Sequence, residues 1–196
     1  VFQAIQKIQN KPDSVLIIAP HSFYFGSTKF FKFFDRIKQE VHILCREKYS
    51  YNILNSMIFP KNVHIHLSQD TALYLSKEDF NLKTRNTSHI LIAPRKDRES
   101  IVNWSKNKIR NKTRTKILFG DIVQLASFND FVDIIWNARQ IYTDRLHNAI
   151  LSAILGKETY LYPNIYHKNK GVYEYSLHAY PNVKFVNSYE FLGINA

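Results

Sequence analysis

Short apolar runs rich in Val and Ile alternate along this chain with longer segments whose apolar residues recur at helical spacing. The runs predict strands over residues 14–19, 41–46, 63–67, 89–93, 140–143, 159–162 and 183–186. Between them, residues 28–39 place Phe30, Phe31, Phe33, Phe34 and Ile37 on one broad face, and 48–57 and 128–138 show the same period. Residues 2–8 also read as helical. Strands alternating with helices predict an α/β fold in which mostly parallel, Rossmann-like sheet is covered by helices.

The polar stretch 81–88, with its Asn and Lys residues, breaks this rhythm and predicts a domain boundary. The first domain then runs over 1–82 and the second over 83–196. No internal repeat stands out. The chain starts at Val1, inside or just before a helix, which predicts a piece of a longer protein with an incomplete N-terminal part.

Composition narrows the class. With 45% hydrophobic residues the chain can bury a core. It has no apolar run long enough to span a bilayer and no signal-peptide pattern, which predicts a soluble, cytoplasmic protein. The lone Cys45 excludes an intrachain disulfide and a Cys-based zinc cluster. His64 and His66 alternate on a strand but lack a third ligand at a matching spacing, so no metal is assigned. Only five glycines occur, and no Gly-rich dinucleotide or P-loop signature, which argues against a nicotinamide or ATP enzyme.

Lys and Arg number 27 against 16 Asp and Glu, a net +11. Such a surplus attracts phosphates, anionic substrates, acidic polymers or the anionic surface of a membrane. The basic residues are densest over 95–116, where a solvated helix face is the plain expectation.

The candidate chemistry lies at strand ends. Residues 140–143 end in Thr143-Asp144, and a helix follows through Leu146, Ala149, Ile150, Ala153 and Ile154. Ligands of open α/β sheets bind at such carboxyl ends. Thr143 or Asp144 can cap the helix, while Arg145 and His147 add a fork of donors and an imidazole suited to an anion. The same residues also fit a capped helix with an exposed Arg and a His at the core edge. Pro20-His21-Ser22, Arg46-Glu47, Gln69-Asp70 and Pro94-Arg95-Lys96-Asp97 follow other strands, and in one sheet they would converge on one rim. Lys168, in the basic corner 163–170, is placed to reach an anion held there.

The run Ile141-Tyr142-Thr143-Asp144-Arg145-Leu146-His147, then Ala149-Ile150-Leu151 and Leu155-Gly156-Lys157, closely resembles the Thr-Asp-Arg-Leu-His segment of the polysaccharide pyruvyl transferases. Asn164-Ile165-Tyr166-His167-Lys168 with Val172-Tyr173-Glu174 is similar to the family's Asn-x-Tyr-Gly-Lys…Tyr-Glu block, with His167 in place of glycine. Upstream, Pro20-His21-Ser22, Arg46-Glu47 with Ser50-Tyr51, Gln69-Asp70-Thr71-Ala72 and Arg95-Lys96-Asp97-Arg98-Glu99 resemble further family segments in the same order.

The resemblance implies a GT-B-like two-lobe arrangement with the N-terminal lobe incomplete. It implies transfer of a pyruvyl group from phosphoenolpyruvate to sugar hydroxyls of a cell-surface glycan or exopolysaccharide, on a glycan or lipid-linked saccharide acceptor, at the inner face of the membrane. No cofactor and no nucleic acid partner are implied. His147 would move a proton, and Arg145 and Arg46 would clamp phosphate and carboxylate. Arg95, Lys168, Thr143 and Ser22 would add contacts to the substrate. Asp144 would cap the helix or orient a donor, and Asp70 would accept a sugar proton. A GT-B glycosyltransferase using a nucleotide sugar is the alternative enzyme, and a basic module binding nucleic acid or anionic glycan through 95–116 is the non-enzymatic one.

Overall fold

A computed structural model of the chain describes residues 13–25, 32, 34–82, 89–104, 115–125 and 127–194. Among them, β1 (Leu16–His21), β2 (Val41–Cys45) and β3 (Val63–Leu67) form one sheet in that order, every pair parallel. A second parallel sheet holds β4 (His89–Ala93), β5 (Lys116–Phe119), β6 (Ala138–Thr143), β7 (Glu158–Leu161) and β8 (Val183–Phe185), in the order β5-β4-β6-β7-β8. The helices are α1 (Lys48–Asn55), α2 (Phe128–Trp136), α3 (Leu146–Ile154) and α4 (Lys168–Tyr175).

The chain divides into two compact units, Val1–Thr71 and Ala72–Ala196, each with its own sheet. The polar stretch 81–88 puts the expected boundary between 82 and 83. Residues 72–82 pack into the second unit instead: Leu73 is buried with Leu146 and Ala149, and Phe80 and Leu82 rest against the core around Leu91 and Ile141. A polar stretch marked the break later than the buried apolar side chains do.

Strand β4 shows why its sequence is apolar without alternation. Leu91 and Ala93 join a core with Ile135, Trp136 and Ile141, while Ile90 and Ile92 join another with Tyr142, Tyr160 and Phe191. Both faces of this strand are covered, as in parallel sheets generally. β5 escaped the sequence reading because its four residues, Lys116-Ile117-Leu118-Phe119, close the Lys- and Arg-rich stretch and are only partly buried or exposed. Of the helix expected over 28–39, residues 28–31 and 33 lie outside the described residues. Phe34 and Ile37 are buried beside Val41 and Leu54 in the core of the first unit. The helix expected over 2–8 also lies outside them, as do residues 105–114 of the basic stretch.

Helix α3 carries the candidate site at its start and is anchored at its end. Gly156 adopts φ 65°, its N–H donates to Ala153 O at 3.1 Å, and Lys157 N–H donates to Ser152 O at 2.8 Å. These are the two bonds of a Schellman C-cap, which needs a residue in the left-handed region. Its register fixes which residues of α3 face inward: Leu146, Asn148, Ala149, Ile150 and Leu151 are buried.

In the first unit, β2 and β3 pair His42 with His64 and Leu44 with His66. His42 Nδ1 lies 2.9 Å from His66 Nε2, and the His42 ring stacks at 5.0 Å on His64 and 5.1 Å on His66. Along the sequence only the two histidines of one strand, His64 and His66, stand out together.

Candidate active site

Thr143 and Asp144, at the carboxyl end of β6, are fully buried. Thr143 Oγ1 donates to Ala93 O (2.7 Å) and accepts from Arg145 N–H (3.0 Å) and Asn148 Nδ2 (3.1 Å). One hydroxyl thus ties the end of β4 to the first turn of α3. The Asp144 carboxylate accepts from Arg95 N–H (2.7 Å), Ser100 Oγ (2.6 Å) and Trp104 Nε1 (3.4 Å). Thr143 or Asp144 was expected to cap the helix, or Asp144 to orient a donor. Arg145 takes the N-cap position with no side-chain cap bond, Thr143 accepts from its N–H, and Asp144 points at the loop after β4, whose donors need an acceptor. Burial pushes the Asp144 pKa up, against the downward pull of these hydrogen bonds.

Around this corner runs a chain of six alternating charges: Lys168, Glu99, Arg95, Asp97, Arg145 and Asp121. Lys168 Nζ pairs with Glu99 Oε2, and Arg95 Nη1 lies 3.1 Å from the same oxygen. Arg95 donates from Nε and Nη2 to the two Asp97 oxygens, both at 2.9 Å. Arg145 Nη2 reaches Asp97 Oδ2 at 3.3 Å, its Nε donates to Asp121 Oδ1 at 2.6 Å, and Nη2 also donates to Asp121 Oδ2. Three cations face three carboxylates. Arg145, expected to clamp an anion, and Arg95 and Lys168, expected to contact it, each have a carboxylate partner here.

The network draws on four strand ends of the second sheet, since Arg95, Asp97 and Glu99 follow β4, Asp121 follows β5, Arg145 follows β6 and Lys168 follows β7. Hydrogen bonds from Arg95 hold the Asp97 pKa down at about 2, with Arg145's charge adding to them against burial. Burial pushes Asp121 up, but the hydrogen bonds and charge of Arg145, with the amides of Lys96 and Val123, leave it below the usual carboxylate range. Asp121 escaped the sequence reading together with β5, whose end positions it.

Three asparagines brace the same corner. Asn169 Nδ2 donates to Asp144 O (2.7 Å) and Tyr162 O (2.8 Å), and Asn169 N–H donates to Asn164 Oδ1 (3.1 Å). With Asn148 on Thr143, they lock β6, β7 and α3 together. Asn148 and Asn169 were not singled out from sequence, because only the fold aims their amides at backbone and hydroxyl oxygens.

His147 is exposed on the first turn of α3. It forms part of the wall of a cavity of about 300 Å³ with Ile122, Val123, Leu125, Phe128 and Phe131; Ser127 completes the lining.

The sequence profile described as "Polysaccharide pyruvyl transferase" matches residues 4–165. The chain belongs to the polysaccharide pyruvyl transferase family. It is also similar to the crystal structure of a functionally uncharacterised protein from Klebsiella pneumoniae subsp. pneumoniae, with 28% identity and a TM-score of 0.64, over 95% of this chain and 68% of that one. Among curated proteins none matches.

The pyruvyl transferase match takes in the whole Thr143 to His147 corner, Arg95, Ser22, Arg46 and Asp70, and ends before Lys168. In the first unit, Arg46 Nε donates to Ser22 Oγ (2.9 Å) and Nη1 to Asp70 Oδ2 (2.7 Å), all three side chains being buried. They sit at the ends of β1, β2 and past β3. Glu47 beside them caps α1, accepting from Ser50 N–H at 3.0 and 3.1 Å. The structure therefore gathers the candidate residues in two sets, one per sheet. Ser22, Arg46 and Asp70 form one set; Arg95, Thr143, Asp144, Arg145, His147 and Lys168 form the other. No helix among the described residues is long and apolar enough to cross a membrane.

Proposed function

We propose that the rim of the second unit binds phosphoenolpyruvate and passes its three-carbon group to two hydroxyls of a surface glycan or exopolysaccharide, releasing phosphate and leaving a cyclic pyruvate ketal. One observation carries the reading. Within the family match, the Thr143 to His147 corner presents a guanidinium and an exposed imidazole two positions apart at the carboxyl end of β6.

The chemistry asks for those groups. Protonating the methylene carbon gives a methyl group and an oxocarbenium-like centre at the adjacent carbon. One sugar hydroxyl adds there, the bond to the phosphate oxygen breaks, and the second hydroxyl closes the ring. Of the two hydroxyl protons, one balances the methyl group and the other leaves with phosphate. His147, exposed at the start of α3, brings an imidazole whose ring nitrogens can give and take a proton.

Arg145 is the anchor for the anionic donor. Its Nε and Nη2 carry the bonds to Asp121 and Asp97, leaving the Nη1 donors for a phosphate or carboxylate oxygen. The 3.3 Å contact with Asp97 is the longest link of the charge chain and the one an incoming phosphate would replace. Arg95 and Lys168 hold the adjoining positions. Thr143 and Asp144 act by positioning, through the start of α3 and the loop after β4. In the first unit, Arg46 with Ser22 is a second anion-binding set, and Asp70 would take a hydroxyl proton only after parting from Arg46.

Each unit carrying its own parallel sheet fits a two-lobed, GT-B-like architecture. The acceptor would be a glycan or lipid-linked saccharide met at the cytoplasmic face of the membrane, where the surplus of basic residues favours anionic surfaces. The test is incubation with phosphoenolpyruvate and acceptor glycan, followed by NMR for the ketal methyl signal and a phosphate assay. Wild-type chain should give both products, and His147→Ala and Arg145→Ala should give neither. Normal turnover in those variants would overturn the assignment.

A further inference from the structure

The cavity beside His147 differs in character from the ionic rim. Among the described residues its wall is Ile122, Val123, Leu125, Phe128 and Phe131, with polar side chains at Ser127 and His147. None of these side chains carries a fixed charge, so a phosphoenolpyruvate anion would gain nothing there. The wall is also open to solvent: Phe128 is 63% exposed, Val123 56% and Leu125 39%.

Phe128 is shared with a second cavity of about 350 Å³, lined also by Asp79, Phe80, Asn81, Asn129, Val132 and Asp133. The Phe128 ring lies 6.3 Å from Phe80 and 6.2 Å from Phe131, so three aromatic rings follow one another along both cavities. On one side of Phe128 stand an imidazole and a hydroxyl, and on the other carboxylates and amides.

A pyranose ring matches this pairing. One of its faces is a patch of C–H groups that packs on an aromatic surface, and its edge is a row of hydroxyls that seek carboxylate, amide and imidazole partners. We infer that these two cavities are the saccharide subsites of the acceptor, with Phe128 as the platform between them and the ring to be modified in the His147 cavity. The inference rests on the pyruvyl-transfer reading for the identity of the reacting ring. It assigns Phe128, Phe131 and Val123 to acceptor recognition and separates acceptor from donor on the surface of one unit. Each cavity lies at the small end of ligand-site volumes, which suits one sugar ring apiece.

The test is saturation-transfer NMR on the full chain with methyl β-D-galactopyranoside, whose H3, H4 and H5 form an apolar face. In the wild type those protons should saturate more strongly than the O-methyl group. Phe128→Ala, a change at an exposed position, should weaken binding roughly 3- to 10-fold, the range expected for loss of one aromatic contact. Val123→Arg, which fills the cavity, should do the same, and phosphoenolpyruvate binding should not move in either variant. Absence of saturation in the wild type, or equal saturation in Phe128→Ala, would overturn the inference. Sugar binding that depends on Phe128 without any ketal formed would leave the subsites standing and sink the transfer reading. Ketal formation with an unchanged acceptor KM in Phe128→Ala would do the reverse.

Discussion

Arg145 and Asp121 meet fork to fork, with Nε donating to Oδ1 at 2.6 Å and Nη2 donating to Oδ2, and the Asp121 side chain is only 1% exposed. This pair joins the start of α3 to the turn after β5, two elements that sequence does not place together. It also fixes the plane of the guanidinium, and so the direction in which Nη1 can offer its donors.

Removing one partner strands the other in the interior. Arg145→Met should destabilise the fold by about 3–5 kcal/mol, because a buried carboxylate loses its counter-charge, whereas the double change Arg145→Met with Asp121→Leu should recover most of that loss. Urea unfolding of the two variants checks this. Turnover should stay lost in both, which separates the role of Arg145 in binding from its role in stability.

His147 makes the opposite case. It is exposed, so His147→Gln should change stability by no more than about 0.5 kcal/mol. Ketal formation should fall by on the order of 10²–10⁴ in kcat if the imidazole exchanges the reacting protons. Thermal unfolding and turnover measured on the same preparation show whether the two effects part in this way.

Asp144 accepts three donors and offers none. Asp144→Asn would turn an amide N–H₂ toward at least one of them. The loop holding Arg95 and Ser100 should loosen at a cost of about 1–3 kcal/mol. Faster hydrogen exchange at the Arg95 amide is the expected signature.

His89 governs a pH dependence outside the site. Burial lowers its pKa, and the charges of Lys116 and Lys157 act in the same sense, while its bond to Ile134 O at 3.0 Å pulls the other way. The folded state thus favours the neutral ring. The associated stability is fully present above the unfolded value of about 6.5 and is lost as pH falls from there toward the lower folded value. Chemical denaturation at stepped pH should show this loss, and His89→Gln should flatten it.

Gly156 tests the anchoring of α3. Its φ of 65° costs a side-chain-bearing residue roughly 1–2 kcal/mol, and among the described residues nothing beyond its chain neighbours lies within 4 Å of a Cβ added there. Gly156→Ala should therefore lower the unfolding free energy by about that amount through backbone conformation alone, seen as a reduced Tm with unchanged turnover.

The sequence by itself determined the alternation of strands and helices, because burial on a parallel sheet demands apolar runs such as His89–Ala93 and helical spacing between them. It also determined the Thr143 to His147 corner, whose residues are contiguous and whose hydroxyl, guanidinium and imidazole are legible as chemistry. What it left undecided depends on partners distant along the chain. β5 is too short and too polar in its surroundings to announce itself, and with it went Asp121, the residue that holds Arg145. The boundary at Thr71 and the turning of Asp144 toward Arg95, Ser100 and Trp104 also came only from the tertiary structure. Local patterns specify which face of an element is buried. Only packing decides which carboxylate meets which cation, since every Asp and Arg offers the same chemistry until the fold sets the distance between them.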